Sequence, residues 1–147
     1  PRQGSRIGAA AAWGRSGDAT VSDPYTLLNV EGEFAFAYTK ISGELTRDRF
    51  DTPTGTREAR GATLQIRQTL TPRLFAHSRG TVITSPVTVA ATGEVPDRTS
   101  WYTDTTLGYL VNAETTVRLA HSAIKKWSLP AVDHQVGVSI VWARRWW

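Results

Sequence analysis

Residues 29–45 read NVEGEFAFAYTKISGEL, and their alternation decides the fold class. Val30, Phe34 and Phe36 fall on one parity, and Asn29, Glu31 and Glu33 fall on the other. After Ala37 the alternation restarts in a second strand, with Ile41 and Leu45 set against Lys40, Ser42 and Glu44. Successive side chains of an extended chain point to opposite faces, so a period of two predicts strands with one apolar and one polar face. Helical spacing persists nowhere for more than a turn or two.

The same pattern extends in both directions. It predicts strands near Arg6–Arg15, Leu27–Phe36, Tyr38–Phe50, Ala62–Leu70, Leu74–Ile83, Ser100–Val111, Thr115–Trp127 and Gln135–Trp147. Pro24, Pro53, Pro72, Pro86, Pro96 and Pro130 fall in the expected connections, as they should if proline is kept out of sheet interiors. Those connections alternate in length. Ser16–Pro24, Asp51–Gly61 and Thr84–Thr99 are long, whereas the chain is expected to turn tightly at Ala37, at Thr71-Pro72-Arg73 and at Asn112-Ala113-Glu114. Short turns on one side and longer loops on the other, with an even number of strands, describe an antiparallel up-and-down transmembrane β-barrel. The expected fold class is therefore all-β, with about eight strands in this chain, either a barrel or part of a larger one. Residues 1–147 are expected to form a single unit, an outer-membrane barrel or its C-terminal segment.

Composition narrows the alternatives. With no cysteine, disulfides, thiolate metal sites and thiol nucleophiles are excluded. No run of about 18 apolar residues occurs, which excludes a membrane-spanning helix but not a barrel wall. The mean hydropathy of -0.29 is what alternating strands produce. The chain opens at Pro1 without a charged-then-apolar leader, so either a signal peptide has been removed or the chain is a fragment. A net charge of +4 suggests an anionic partner such as lipopolysaccharide. The basic residues are spread along the whole chain rather than clustered, which argues against nucleic acid.

Parity sorts chemistry as well as hydropathy. One face carries Ile7, Trp13, Leu28, Val30, Phe34, Ile41, Leu45, Leu64, Ile66, Val82, Leu107, Leu119, Val138 and Ile140. The other carries Arg6, Glu31, Glu33, Lys40, Glu44, Arg67, His77, Arg79, Asp104 and Arg118. Of these, Glu31, Glu33, Lys40, Glu44, Arg67, His77, Arg79, Asp104 and Arg118 are the candidate pore-lining or lumen ion-pair residues. The carboxylates of Glu31, Glu33 and Glu44 are expected to pair with Lys40, Arg67, Arg79 and Arg118, since an unpaired buried charge costs several kcal/mol. A soluble ligand-binding barrel would invert the two faces. Aromatic residues argue against that inversion by collecting in two groups: Trp13, Tyr25, Phe50, Trp101, Tyr102 and Trp127 at one set of strand ends, and Phe36, Tyr38, Phe75, Tyr109, Trp142, Trp146 and Trp147 at the other. Two girdles suit the two interfaces of a bilayer.

The segment QVGVSIVW, residues 135–142, is similar to the C-terminal assembly signal of outer-membrane proteins through Gln135, Gly137, Ile140 and Trp142. Residues 143–147 carry the strand on to Trp147. NVEGEFAF joined to KISGELTRDRF, LQIRQTLTPRLF and TLGYLVNAETTVRL resemble the last strands of Gram-negative porins of the phosphate-selective and general groups. The resemblance spans roughly residues 27 to 147. It implies residence in the bacterial outer membrane among its lipid and lipopolysaccharide, folding by the barrel-assembly machinery, and passive transport through a pore of about 16 to 18 strands, monomeric or trimeric, of which this chain supplies the final part. It implies no phosphate-binding residues here.

The expected function is passive conduction of small hydrophilic solutes, with Arg67, Arg79 and Arg118 tuning charge preference. The rival expectations are a complete eight-stranded barrel with a filled lumen, serving as anchor or adhesin, and a soluble ligand-binding barrel. His77, His121 and His134 lack metal-ligand spacing, and no nucleophile motif surrounds Ser122. Neither a cofactor nor an enzymatic activity is expected. The pairing of the first strand with the last discriminates the filled barrel from a wall completed by other strands.

Overall fold

The computed structural model describes residues 4–17, 22–52, 55–86 and 96–143. They form eight strands: β1 (Gly4–Gly17), β2 (Ser22–Phe36), β3 (Thr39–Thr52), β4 (Gly55–Thr69), β5 (Leu74–Pro86), β6 (Asp97–Leu110), β7 (Thr115–Lys125) and β8 (Asp133–Trp142). Each strand pairs antiparallel with the next, so one sheet runs β1 to β8 in chain order. This is the up-and-down topology that alternation predicts.

Three turns join the strands at one end, and their sequences explain them. Ala37 and Tyr38 link β2 to β3, with Ala37 at φ 49°, the left-handed region that two-residue hairpins require. At the second turn the Thr71 hydroxyl accepts from the Arg73 and Leu74 amides at 3.3 and 3.0 Å. At the third the Asn112 carboxamide oxygen accepts from the Glu114 and Thr115 amides at 2.9 and 2.8 Å. Both side chains satisfy backbone donors that the strands leave unpaired.

At the other end the strands run longer than alternation predicts. The expected loop Asp51–Gly61 is largely ladder, because β3 continues to Thr52 and β4 begins at Gly55. Charged residues pair across it, Arg47 opposite Arg60 and Arg49 opposite Glu58, so polarity here marks a solvated hairpin and not a loop. The difference in length between the two sets of connections is correspondingly smaller than expected. Pro24 lies inside β2 opposite Arg15, and Pro86 closes β5 opposite Asp97. Each sits beyond the ladder with its other neighbour, which begins at Tyr25 for β2 with β3 and ends at Thr84 for β4 with β5. The missing N–H therefore has no partner to lose on that side. β7 stops at Lys125, short of Trp127, and β8 stops at Trp142, while Trp146 and Trp147 lie outside the described residues.

The sheet curls but does not close. Arg6 of β1 and Arg118 of β7 line the same concavity, yet β1 and β8 form the two unpaired edges. An eight-stranded ring leaves an interior only wide enough for side chains, and the inward set here includes long charged chains on β1 to β7. The open arc accommodates them.

No conventional core forms within this arc. Among the described residues Ala123 is the one buried hydrophobic side chain. The chain exposes 10855 Å², against roughly 7,400 Å² expected of a compact protein of its mass. Large apolar side chains of the outward face are among the most exposed, from Ile7 at 85% to Val136 at 73% and Ile140 at 71%.

Candidate functional site

Registered pairing places the polar parity of every strand on the concave side. Glu33 faces Arg6 and Ser42, Lys40 faces Arg67, Arg67 faces His77, Arg79 faces Gln65 and Asp104, and Arg118 faces Gly108 and Ser139. All nine candidate residues thus share one face. Eight of them, Glu31, Glu33, Lys40, Glu44, Arg67, His77, Asp104 and Arg118, line a single trough of about 630 Å³, and Arg79 lies beside it.

The charges in this trough are balanced in number but unevenly paired. Arg6, Lys40, Arg67 and Arg118 face Glu31, Glu33, Glu44 and Asp104. Glu31, Glu33 and Glu44 lie on β2 and β3, beside Arg6 and Lys40, whereas Asp104 lies on β6. Lys40 Nζ lies 2.7 Å from Glu33 Oε2, and Arg6 Nη2 lies 3.7 Å from Glu31 and 4.0 Å from Glu33. Glu44 accepts from the Asn29 carboxamide and, at 3.4 Å, from the Thr46 hydroxyl.

The expected pairing of these glutamates with Arg67, Arg79 and Arg118 does not form. Register sets Arg67 between Lys40 and His77, opposite no carboxylate, and its guanidinium stacks over Phe75 at 4.9 Å. Arg79 stacks over Tyr102 at 5.3 Å. A cation above an aromatic face is held by the ring quadrupole without giving up its net charge. Asp104 accepts from the Tyr102 and Thr106 hydroxyls, each at 3.3 Å, and not from His77. On the concave side, β4 to β7 therefore carry Arg67, Arg79 and Arg118 against the carboxylate of Asp104, whereas β1 to β3 hold the ion-paired glutamates.

Phe75 and Tyr102 are site residues that sequence reasoning assigns elsewhere. Both are expected in aromatic girdles, together with Tyr25 and Phe50, but all four lie on the concave face. Tyr25 stands over Gly14, where an added Cβ would come within 3.0 Å of its ring, and Phe50 is its register partner. Trp13, Phe36, Trp101, Tyr109 and Trp142 keep the outward parity that a girdle requires. The parity of Phe75 and Tyr102, odd and even like His77 and Asp104, is the signal that places them correctly.

The residues resembling an assembly signal lie on β8, whose ten residues are all exposed. Gln135 and Gly137 face inward opposite Ser122 and Ala120. Ile140 and Trp142 face outward, and the Trp142 indole donates to Glu114 at 3.2 Å. Trp147 falls outside the described residues. The fold and trough together define the class: an open antiparallel meander, apolar on its convex side and charged on its concave side. In comparison with known proteins, the chain matches no family model, no curated protein and no solved structure.

Proposed function

We propose that this chain is a wall of a bacterial outer-membrane β-barrel of the porin kind and that its concave face lines a path for small hydrophilic solutes. The observation carrying this reading is the inversion of the sheet: exposed apolar side chains coat the convex face while charge lines the hollow. In water such a sheet would leave its apolar surface unburied, whereas lipid is a suitable solvent for it. The unpaired edges of β1 and β8 favour a wall completed by further strands over a filled eight-stranded barrel. An ion-paired patch on β1 to β3 and an excess of arginine on β4 to β7 then face the lumen, and mobile ions experience both. This reading implies insertion by the barrel-assembly machinery, a lipid and lipopolysaccharide environment, and a larger assembly such as a homotrimer. Single-channel recording in planar bilayers tests it. Discrete conductance steps are expected from the inserted protein, and the absence of current from intact, inserted protein would sink the transport assignment. A monodisperse chain in detergent-free buffer would contradict the membrane assignment itself.

A further inference from the structure

The convex face carries one feature that a uniform lipid-facing band does not explain. Across β2, β3, β4 and β5 the register aligns Val30, Leu45, Ala62 and Val82 in one row. Ala62 is a gap between two taller neighbours. One row toward the turns, Leu64 stands between Gly43 and Gly80. One row in the other direction the partners are Leu28, Arg47, Arg60 and Thr84. The result is an apolar groove of about 410 Å³ with two guanidiniums at its mouth.

These guanidiniums are fixed in place but not neutralised. The Glu58 carboxylate accepts from both Arg47 and Arg60, so one negative charge holds two positive ones. Arg49, on the same face one row farther out, reaches Asp51 at 3.9 Å among the described residues. Among the described residues, three guanidiniums thus share two carboxylates on this rim. Each guanidinium has five N–H donors, and Arg47 and Arg60 are exposed enough to offer the remainder.

We infer that this groove binds one molecule of a phosphate-bearing, acylated lipid. An acyl chain would lie over Ala62 between Leu45 and Val82, and the anionic phosphate would sit between Arg47 and Arg60. Arginine suits phosphate because its planar fork donates two parallel hydrogen bonds. The groove opens toward the strand ends opposite the tight turns, so the lipid belongs to the leaflet on the loop side. In the outer-membrane reading, on which this inference rests, that leaflet is the outer one, and the matching chemistry is that of a phosphorylated glycolipid.

The test uses the full chain inserted in phosphatidylcholine nanodiscs containing diphosphorylated lipid A at a low mole fraction, with retained lipid measured by native mass spectrometry. Retention of lipid A over phosphatidylcholine is expected. Combined Arg47→Gln and Arg60→Gln, and separately Ala62→Leu, should each weaken it about tenfold or more, the loss of one charge-assisted contact or of the chain's seat. Arg67→Gln, on the concave face, should leave it unchanged. Inserted protein with no preference for lipid A, or equal retention in all variants, overturns the lipid site while leaving the membrane reading intact. Displacement by inorganic phosphate with no effect of Ala62→Leu reveals a simple anion site and also overturns it. Failure of the wild-type chain to insert overturns the membrane reading instead.

Discussion

Leu64→Arg puts the lipid-facing assignment at greatest risk. Leu64 lies five residues from Thr69, the end of β4. With the sheet seated in a bilayer as proposed, about 3.4 Å per residue and a tilt near 40° would put it about 13 Å along the membrane normal from the turn side, near the middle of an apolar band about 25 Å tall. Its register partners are Gly43 and Gly80, so an arginine meets neither a steric block nor a cross-strand polar group to pair with. Arginine at that depth costs about 2–4 kcal/mol, or about 30- to 700-fold in the folding equilibrium. The adjacent residue supplies the control. Thr63 faces the hollow opposite Glu44 and Thr81, and Thr63→Arg loses a 3.1 Å hydroxyl contact worth about 1 kcal/mol but gains a carboxylate neighbour. Urea titrations of folding into phosphatidylcholine vesicles, followed by tryptophan fluorescence and heat-modifiable gel mobility, measure both. Equal effects at positions 63 and 64, or a Leu64→Arg chain that is more stable and soluble in plain buffer, would refute the assignment of faces to lipid and lumen.

Other consequences are equally direct. Gly108→Ala would place a Cβ 2.2 Å from the Phe75 ring, so the ring must leave Arg67, and a loss of about 1–3 kcal/mol is expected in the same titration. Replacing Arg67, Arg79 and Arg118 together by glutamine leaves Arg6 and Lys40 facing four carboxylates in the trough, and the reversal potential in a potassium chloride gradient should move toward cation preference; an unchanged potential would remove these arginines from the conduction path. Ala37→Gly relieves a left-handed alanine and should stabilise the β2–β3 hairpin by up to about 1 kcal/mol, whereas Ala37→Val should do the reverse, as read from gel-shift melting midpoints.

Much of the site is legible in the sequence, because the face of a strand residue depends only on parity within its own strand. Once Glu31 and Glu33 are placed opposite Val30 and Phe34, the side of each is settled, and the same holds for Lys40, Glu44, Arg67, His77, Arg79, Asp104 and Arg118. The turns at Ala37, Thr71 and Asn112 are legible for a similar reason: their conformations are held by groups within a few residues. The polar run Asp51–Gly61, expected as a loop, misleads, because a hairpin ladder of charged and small residues has the composition of a loop. Phe75 and Tyr102 are misplaced when proximity to a strand end is weighed above parity. The partners of Arg67 and Arg79 are not foreseeable from the chain alone, since they depend on how neighbouring strands are offset.

Local chain geometry therefore accounts for the strands, their two faces and the tight turns, all of which follow from a repeat of two residues and from side chains bonding to nearby backbone. Cross-strand offset and sheet curvature account for the remainder: which charges meet, which arginines rest on rings, where Ala62 opens a groove, and the fact that β1 and β8 stay apart. Those properties arise between strands, from register accumulated over seven pairings, and no single strand encodes them.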